Sequence, residues 1–88
     1  MMIIKLFGGL RQKAGGAVHD ASGTTIREAL ESICIEKEAL RAAIFAGDQL
    51  RAHVRVMVNG RDAELANGLE TAVSDNDQIA LFPPIAGG

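Results

Sequence analysis

Thr25-Ile26-Arg27-Glu28-Ala29-Leu30-Glu31-Ser32-Ile33-Cys34 decides the fold of this chain. Thr25 with Glu28 three residues later is a capping-box signature, in which a hydroxyl and a carboxylate satisfy amide donors left over at the start of a helix. Behind it Ile26, Ala29, Leu30, Ile33 and Cys34 recur at i, i+3, i+4, i+7 and i+8 and form one apolar stripe. Arg27, Glu28, Glu31 and Ser32 take the other face. This is an amphipathic helix with one side to bury. The stripe also accounts for Cys34 as a small core hydrophobe, because a catalytic thiol needs an electropositive, accessible setting.

Outward from the helix, both flanks read as strands. Residues 2–7 alternate, with Ile4 and Leu6 on one face and Ile3, Lys5 and Phe7 on the other. Gly8-Gly9 and Ala14-Gly15-Gly16 bracket a short polar turn containing Arg11 and Lys13, from which residues 17–21 return antiparallel. Beyond the helix, residues 36–47 continue a weaker helical pattern through Leu40, Ile44 and Phe45 to Gly47. Residues 50–59 alternate again, Val54, Val56 and Val58 against His53, Arg55 and Met57. Asn59-Gly60 is a two-residue hairpin signal, and residues 61–65 pair back. Asn67-Gly68 turns the chain, Leu69 and Val73 offer core contacts, and Asp75-Asn76-Asp77 makes the last turn. The final strand, residues 78–82, sets Ile79 and Leu81 against Ala80 and Phe82.

One main helix among these strands packs across one face of a mixed sheet, an α+β arrangement. With a hairpin first and the last strand beside the first, the layout is a β-grasp, the ubiquitin-like plan. Eighty-eight residues, 48% of them hydrophobic, suffice for a single domain with a small core, spanning residues 1–88.

The last strand runs into Pro83-Pro84-Ile85-Ala86-Gly87-Gly88. Neither proline can extend a sheet ladder, and Pro83 holds Phe82 extended. Residues 83–88 therefore read as a stiff, protruding tail, with a reach of roughly 18–20 Å at about 3.1–3.3 Å per residue. Gly87 and Gly88 have no side chains, so the tip fits a narrow channel and presents its carboxyl to a foreign active site. That carboxyl is ionised at neutral pH and is a poor electrophile until activated, most simply as an acyl-adenylate. A frayed end is the plain alternative, but frayed ends are seldom apolar and stiffened by two prolines.

Composition narrows the rest. A net charge of −2 with mixed signs gives no footprint for nucleic acid or for an anionic membrane surface. No apolar run approaches the ~20 residues of a membrane span, and the opening segment is too short for a secretory signal, so a cytoplasmic location is expected. A single cysteine excludes an intrachain disulfide and the four thiolates of an iron–sulfur site. His19 and His53 have no ligand-like spacing, and no metal site is expected. Phe7 and Phe82 lie on faces opposite Leu6 and Leu81; they form an apolar docking patch or are buried by the curl of a small sheet. Met57 is a lesser member of such a patch, and Arg11 and Lys13 read as a solvated loop.

Taken together, Ile4-Lys5-Leu6-Phe7 with Leu10-Arg11, Thr25-Ile26-Arg27-Glu28-Ala29-Leu30, Val56-Met57-Val58-Asn59-Gly60 and, above all, Ile79-Ala80-Leu81-Phe82-Pro83-Pro84-Ile85-Ala86-Gly87-Gly88 resemble the ubiquitin-like sulfur-carrier family. Within that family the chain is most similar to the small subunits of molybdopterin synthase. Asn76 is a departure, standing where such sequences often have glycine in the turn before the last strand; asparagine tolerates left-handed φ. Residues 35–50 match no pattern of the family. The resemblance implies a carrier, not a free-standing enzyme, with no bound cofactor. An ATP-dependent adenylating enzyme related to ubiquitin-activating enzymes would adenylate Gly88, and a persulfide donor would convert it to a thiocarboxylate. Gly87, Ala86, Ile85, Pro84, Pro83, Phe82 and Phe7 would bind the partners. The sulfur would pass in the large subunit of molybdopterin synthase to the dithiolene of molybdopterin, in molybdenum cofactor biosynthesis. A thiamine-pathway sulfur carrier and a protein modifier joined to lysines through Gly88 are the alternatives, and an interaction module with an inert tail is a further one.

Overall fold

The computed structural model describes residues 2–35 and 37–83. β1 (Met2–Leu6) and β2 (Val18–Ala21) pair antiparallel, with Met2 opposite Ala21 and Lys5 opposite Val18. Between them the expected polar turn is a single helical turn, α1 (Leu10–Ala14). Leu10 and Ala14 lie four residues apart, so one turn puts both on the buried side while Arg11 and Lys13 stay exposed.

α2 (Ile26–Cys34) forms where the capping box and stripe predict it, and all five stripe residues are buried. Thr25 is extended, and its Oγ1 accepts from the Glu28 amide at 3.2 Å. The reciprocal bond differs from the standard box. Glu28 Oε1 reaches one residue further back, accepting from the amide and hydroxyl of Thr24 at 2.7 and 2.9 Å. The bond from the Thr24 amide, then that from its hydroxyl, hold the Glu28 carboxyl below the usual glutamate value. Its folded pKa is thus lower than its unfolded one, so the stabilisation is full at neutral pH and is lost as pH falls through the folded value. Glu28→Gln is expected to flatten part of the acid limb of a Tm profile run from neutral to about pH 3; an acid limb identical to that of the unaltered chain would contradict this.

The helical pattern expected over residues 36–47 is realised only as a separate α3 (Glu38–Ile44). A helix continuous with α2 would carry Lys37, four residues past Ile33, onto the buried stripe, and the chain breaks there instead. Arg41 then ties α3 to α2 through two bonds to the Glu31 carboxylate, at 2.6 and 2.9 Å. α1 packs against α3. Phe45 is buried but extended, in a two-residue strand β3 (Phe45–Ala46) that pairs with β4 (Gln49–Leu50).

The strand expected over residues 50–59 is shortened to β5 (Arg55–Val58), with Val54 and Val56 buried. Asn59 and Gly60 have φ of 51° and 84°, the left-handed pair that a two-residue hairpin requires. The returning strand is only β6 (Arg61–Asp62) rather than residues 61–65. Asp62 acts as a cap, its Oδ1 accepting from the Glu64 amide at 2.9 Å, and Ala63–Leu65 becomes a 3₁₀ turn. A second 3₁₀ turn, Gly68–Glu70, buries Leu69, and Val73 is buried beyond it.

β7 (Gln78–Phe82) completes a five-stranded sheet in the order β2-β1-β7-β5-β6. It runs parallel to β1 and antiparallel to β5, so the last strand lies at the centre. Ile4, Leu6, Val56, Ile79 and Leu81 form one core with Ile26, Leu30 and Ile33 of α2, the mixed sheet with a helix across one face that defines the β-grasp. Asn76 does not use its tolerance of left-handed φ: among the described residues the non-glycines at positive φ are His53 and Asn59. The turn is closed by Asp77, which accepts from the Ser74 amide and from Asn59 Nδ2, both at 2.8 Å; Asn59 Oδ1 in turn accepts from the Gln78 amide at 2.9 Å. Among the described residues no helix is long and apolar enough to cross a membrane.

Candidate functional site

The parallel register of β1 and β7 places Leu6 beside Leu81 on the core side. The ladder runs one step further, the Phe7 amide donating to the Leu81 carbonyl at 3.1 Å. That step sets Phe7 beside Phe82 on the open face, where the rings stack with centroids 4.5 Å apart and planes 12° apart. Phe7 is 40% exposed and Phe82 half-buried. Of the two readings the sequence leaves open, burial by the curl of the sheet fails for Phe7 and holds in part for Phe82.

The same face extends across the sheet. Lys5, Ala80 and Met57 form the next row, with Val18 opposite Lys5 and 58% exposed. Ile3 and Met57 are half-buried. Arg55 sits opposite Phe82 and is ion-paired to Asp62, so it borders the aromatic pair with an anchored guanidinium. α2 occupies the other side, so among the described residues this is the more exposed face of the sheet. The sequence did not single out Arg55; its place opposite Phe82 follows from the pairing of β5 with β7.

Pro83 is half-buried and lies against Gly8, whose φ is +60°. Gly8 was legible in the sequence only as a turn residue. Pro84, Ile85, Ala86, Gly87 and Gly88 lie outside the described residues.

Cys34 sits in the core, and burial pushes its thiol up to about 11. Arg41 opposes the shift and Glu31 adds to it. A thiol at that value is almost wholly protonated at neutral pH and a poor nucleophile. The native protein is therefore expected to resist an alkylating reagent at mildly alkaline pH and to react fully in denaturant; rapid labelling of the folded chain would contradict the core assignment. His19 Nε2 lies 3.0 Å from the Gly16 carbonyl, and His53 is exposed. Among the described residues no three His, Cys, Asp or Glu side chains cluster as metal ligands would.

Among known proteins, the sequence model of the ThiS family matches residues 4–88 of this chain. The small archaeal modifier protein 1 of Haloferax volcanii is 35% identical over 88 residues, covering 96% of this chain and 97% of that protein. The sulfur carrier protein CysO of Mycobacterium tuberculosis is 31% identical over 77 residues, covering 88% and 82%. A chain in the crystal structure of the Amycolatopsis orientalis BexX/CysO complex superposes with a TM-score of 0.90 at 27% identity, over 100% of both chains.

Proposed function

The chain belongs to the ThiS family of ubiquitin-like sulfur carriers, and from that membership we propose that it carries sulfur as a thiocarboxylate on Gly88. The reading rests on one observation above the others: a β-grasp whose central strand ends at Phe82, stacked on the exposed Phe7, and runs directly into Pro83-Pro84-Ile85-Ala86-Gly87-Gly88. The body supplies the docking face and the tail supplies the reacting group. The Gly88 carboxylate attacks the α-phosphorus of ATP in an adenylating enzyme and displaces pyrophosphate. The terminal sulfur of a persulfide donor then displaces AMP, and a thiol reductant takes the remaining sulfur–sulfur bond as a disulfide, leaving the thiocarboxylate. ATP and the persulfide are reagents of the partners; sulfur on Gly88 is the cargo. No step in this scheme uses Cys34, which agrees with its buried, protonated state.

For the acceptor we propose the large subunit of molybdopterin synthase, a choice supported by the tail sequence and its resemblance to the small subunits of that enzyme. The thiamine pathway is the alternative within sulfur transfer. A second reading, conjugation of Gly88 to lysines, is favoured by one specific observation: a relative that aligns over nearly its whole length is named a small archaeal modifier protein. One experiment separates these outcomes. The thiocarboxylated chain is mixed with a molybdopterin synthase large subunit and the pterin precursor, and dithiolene product is measured. Product in proportion to carrier consumed supports the proposal. A carrier that stays charged here but is discharged by thiamine-pathway enzymes, or that forms covalent ladders on denaturing gels in cell extract, moves the assignment to the corresponding alternative.

A further inference from the structure

The chain leaves the sheet at Gly8, whose φ of +60° turns β1 into α1. Its carbonyl accepts from the Arg11 amide at 3.3 Å, and the Phe7 carbonyl accepts from the Leu10 amide at 3.3 Å. In the parallel neighbour β7 the corresponding position past Phe82 is Pro83. A Cβ placed on Gly8 would stand 2.7 Å from Pro83 Cγ and 3.4 Å from Pro83 Cδ; at Gly9, next in the chain, it would meet nothing within 4 Å. The bare backbone of Gly8 is therefore the floor on which the Pro83 ring rests. One residue earlier, the Phe7–Phe82 stack fixes the adjoining position.

We propose that Gly8 is a positioning residue for the carboxyl-terminal segment: by admitting the Pro83 ring it sets the direction in which the chain leaves the body towards Gly88. The inference rests on the reading of Gly88 as the group that is activated, because only a chain that reacts through its end needs that end aimed. Proline's fixed φ transmits the seat to the next peptide. A five-residue segment spans roughly 16 Å if extended, and a tilt of about 20° at its root would displace its end by about 5 Å. Misplacement of about 1 Å at a reacting atom can slow chemistry by as much as about a hundredfold.

Gly8→Asn isolates the effect. Asparagine is among the side chains that best tolerate left-handed φ, so it accepts the turn yet puts a Cβ into the Pro83 ring. Gly15→Asn is the control, at φ +77° with nothing within 4 Å of the new Cβ. In ATP–pyrophosphate exchange with an adenylating enzyme, Gly8→Asn is expected to lower kcat by about tenfold or more. KM should change little, because the body docks as before, and Gly15→Asn should do neither. On a Pro83→Ala background, which lacks both clashing atoms, adding Gly8→Asn is expected to cost no further activity. Loss of kcat equal to that of Gly15→Asn, or a loss that persists without the Pro83 ring, would overturn the proposal. An NMR contact between the Gly8 α-protons and the Pro83 ring, present in the unaltered chain and lost in Gly8→Asn, reads the seat without any partner; its absence from the unaltered chain overturns the seat even where activation proceeds. Failure of the unaltered chain to be activated at all would overturn the carrier reading, and with it the purpose assigned to Gly8.

Discussion

Leu30→Ala is expected to destabilise the protein by about 3 kcal/mol, within the roughly 2–5 kcal/mol typical of truncating a fully buried leucine. Leu30 has no solvent exposure and belongs to the α2 stripe that packs in one core with Ile4, Val56, Ile79 and Leu81. Alanine is at least as good a helix former, so α2 keeps its backbone and the loss is one of packing and cavity. A domain of this length has about 4–13 kcal/mol in all at roughly 0.05–0.15 kcal/mol per residue, so a large share disappears with one side chain. The matching fall in Tm is roughly 12–24 °C. Leu65→Ala supplies the contrast: Leu65 is 86% exposed, and its loss is expected to stay within about 0.5 kcal/mol. Chemical denaturation of both variants checks the pair. Equal effects would show that α2 is not the element that closes the core.

The second large effect concerns the open face. The pair Phe7→Ala and Phe82→Ala is expected to weaken binding to an adenylating enzyme by about 10- to 100-fold, or about 1.4–2.7 kcal/mol. Phe7 is already 40% exposed in the free protein, so its removal takes little from the core. The stacked geometry, with centroids 4.5 Å apart, makes the two rings one unit worth about 0.5–1.5 kcal/mol beyond their separate areas. A double-mutant cycle read by calorimetry should therefore show the two losses to be non-additive. Unchanged affinity together with a marked fall in Tm would make the pair a structural feature and place the docking face elsewhere.

Much of the fold was legible in the residues, for reasons that also explain the parts that were not. The α2 stripe, the Asn59-Gly60 turn and the alternation of residues 78–82 are local signals that tertiary packing did not override. The centre of the sheet followed from placing the last strand beside the first. The break before α3 was harder to see, because Leu40 and Ile44 fall in phase with Ile33 and periodicity alone runs straight through; the sign was Lys37 on the apolar stripe. α1 was hidden by its length, although Leu10 and Ala14 are spaced for one helical turn. The early end of β6 depends on Asp62 turning its carboxylate to the Glu64 amide, a competition between cap and ladder that strand patterns do not register. At the site, Phe7 and Phe82 were readable from parity. Gly8 was not, because its significance lies in Pro83, seventy-five residues away in the chain and adjacent only through the parallel pairing.

Sulfur on Gly88, as proposed, is measured most directly by intact mass. The protein is incubated with ATP, an adenylating enzyme and a persulfide donor, beside a variant lacking Gly88. A mass increase equal to one oxygen exchanged for sulfur is expected in the full chain and none in the shortened one. An unshifted full chain with several competent adenylating enzymes, or the same shift in the variant lacking Gly88, would contradict it.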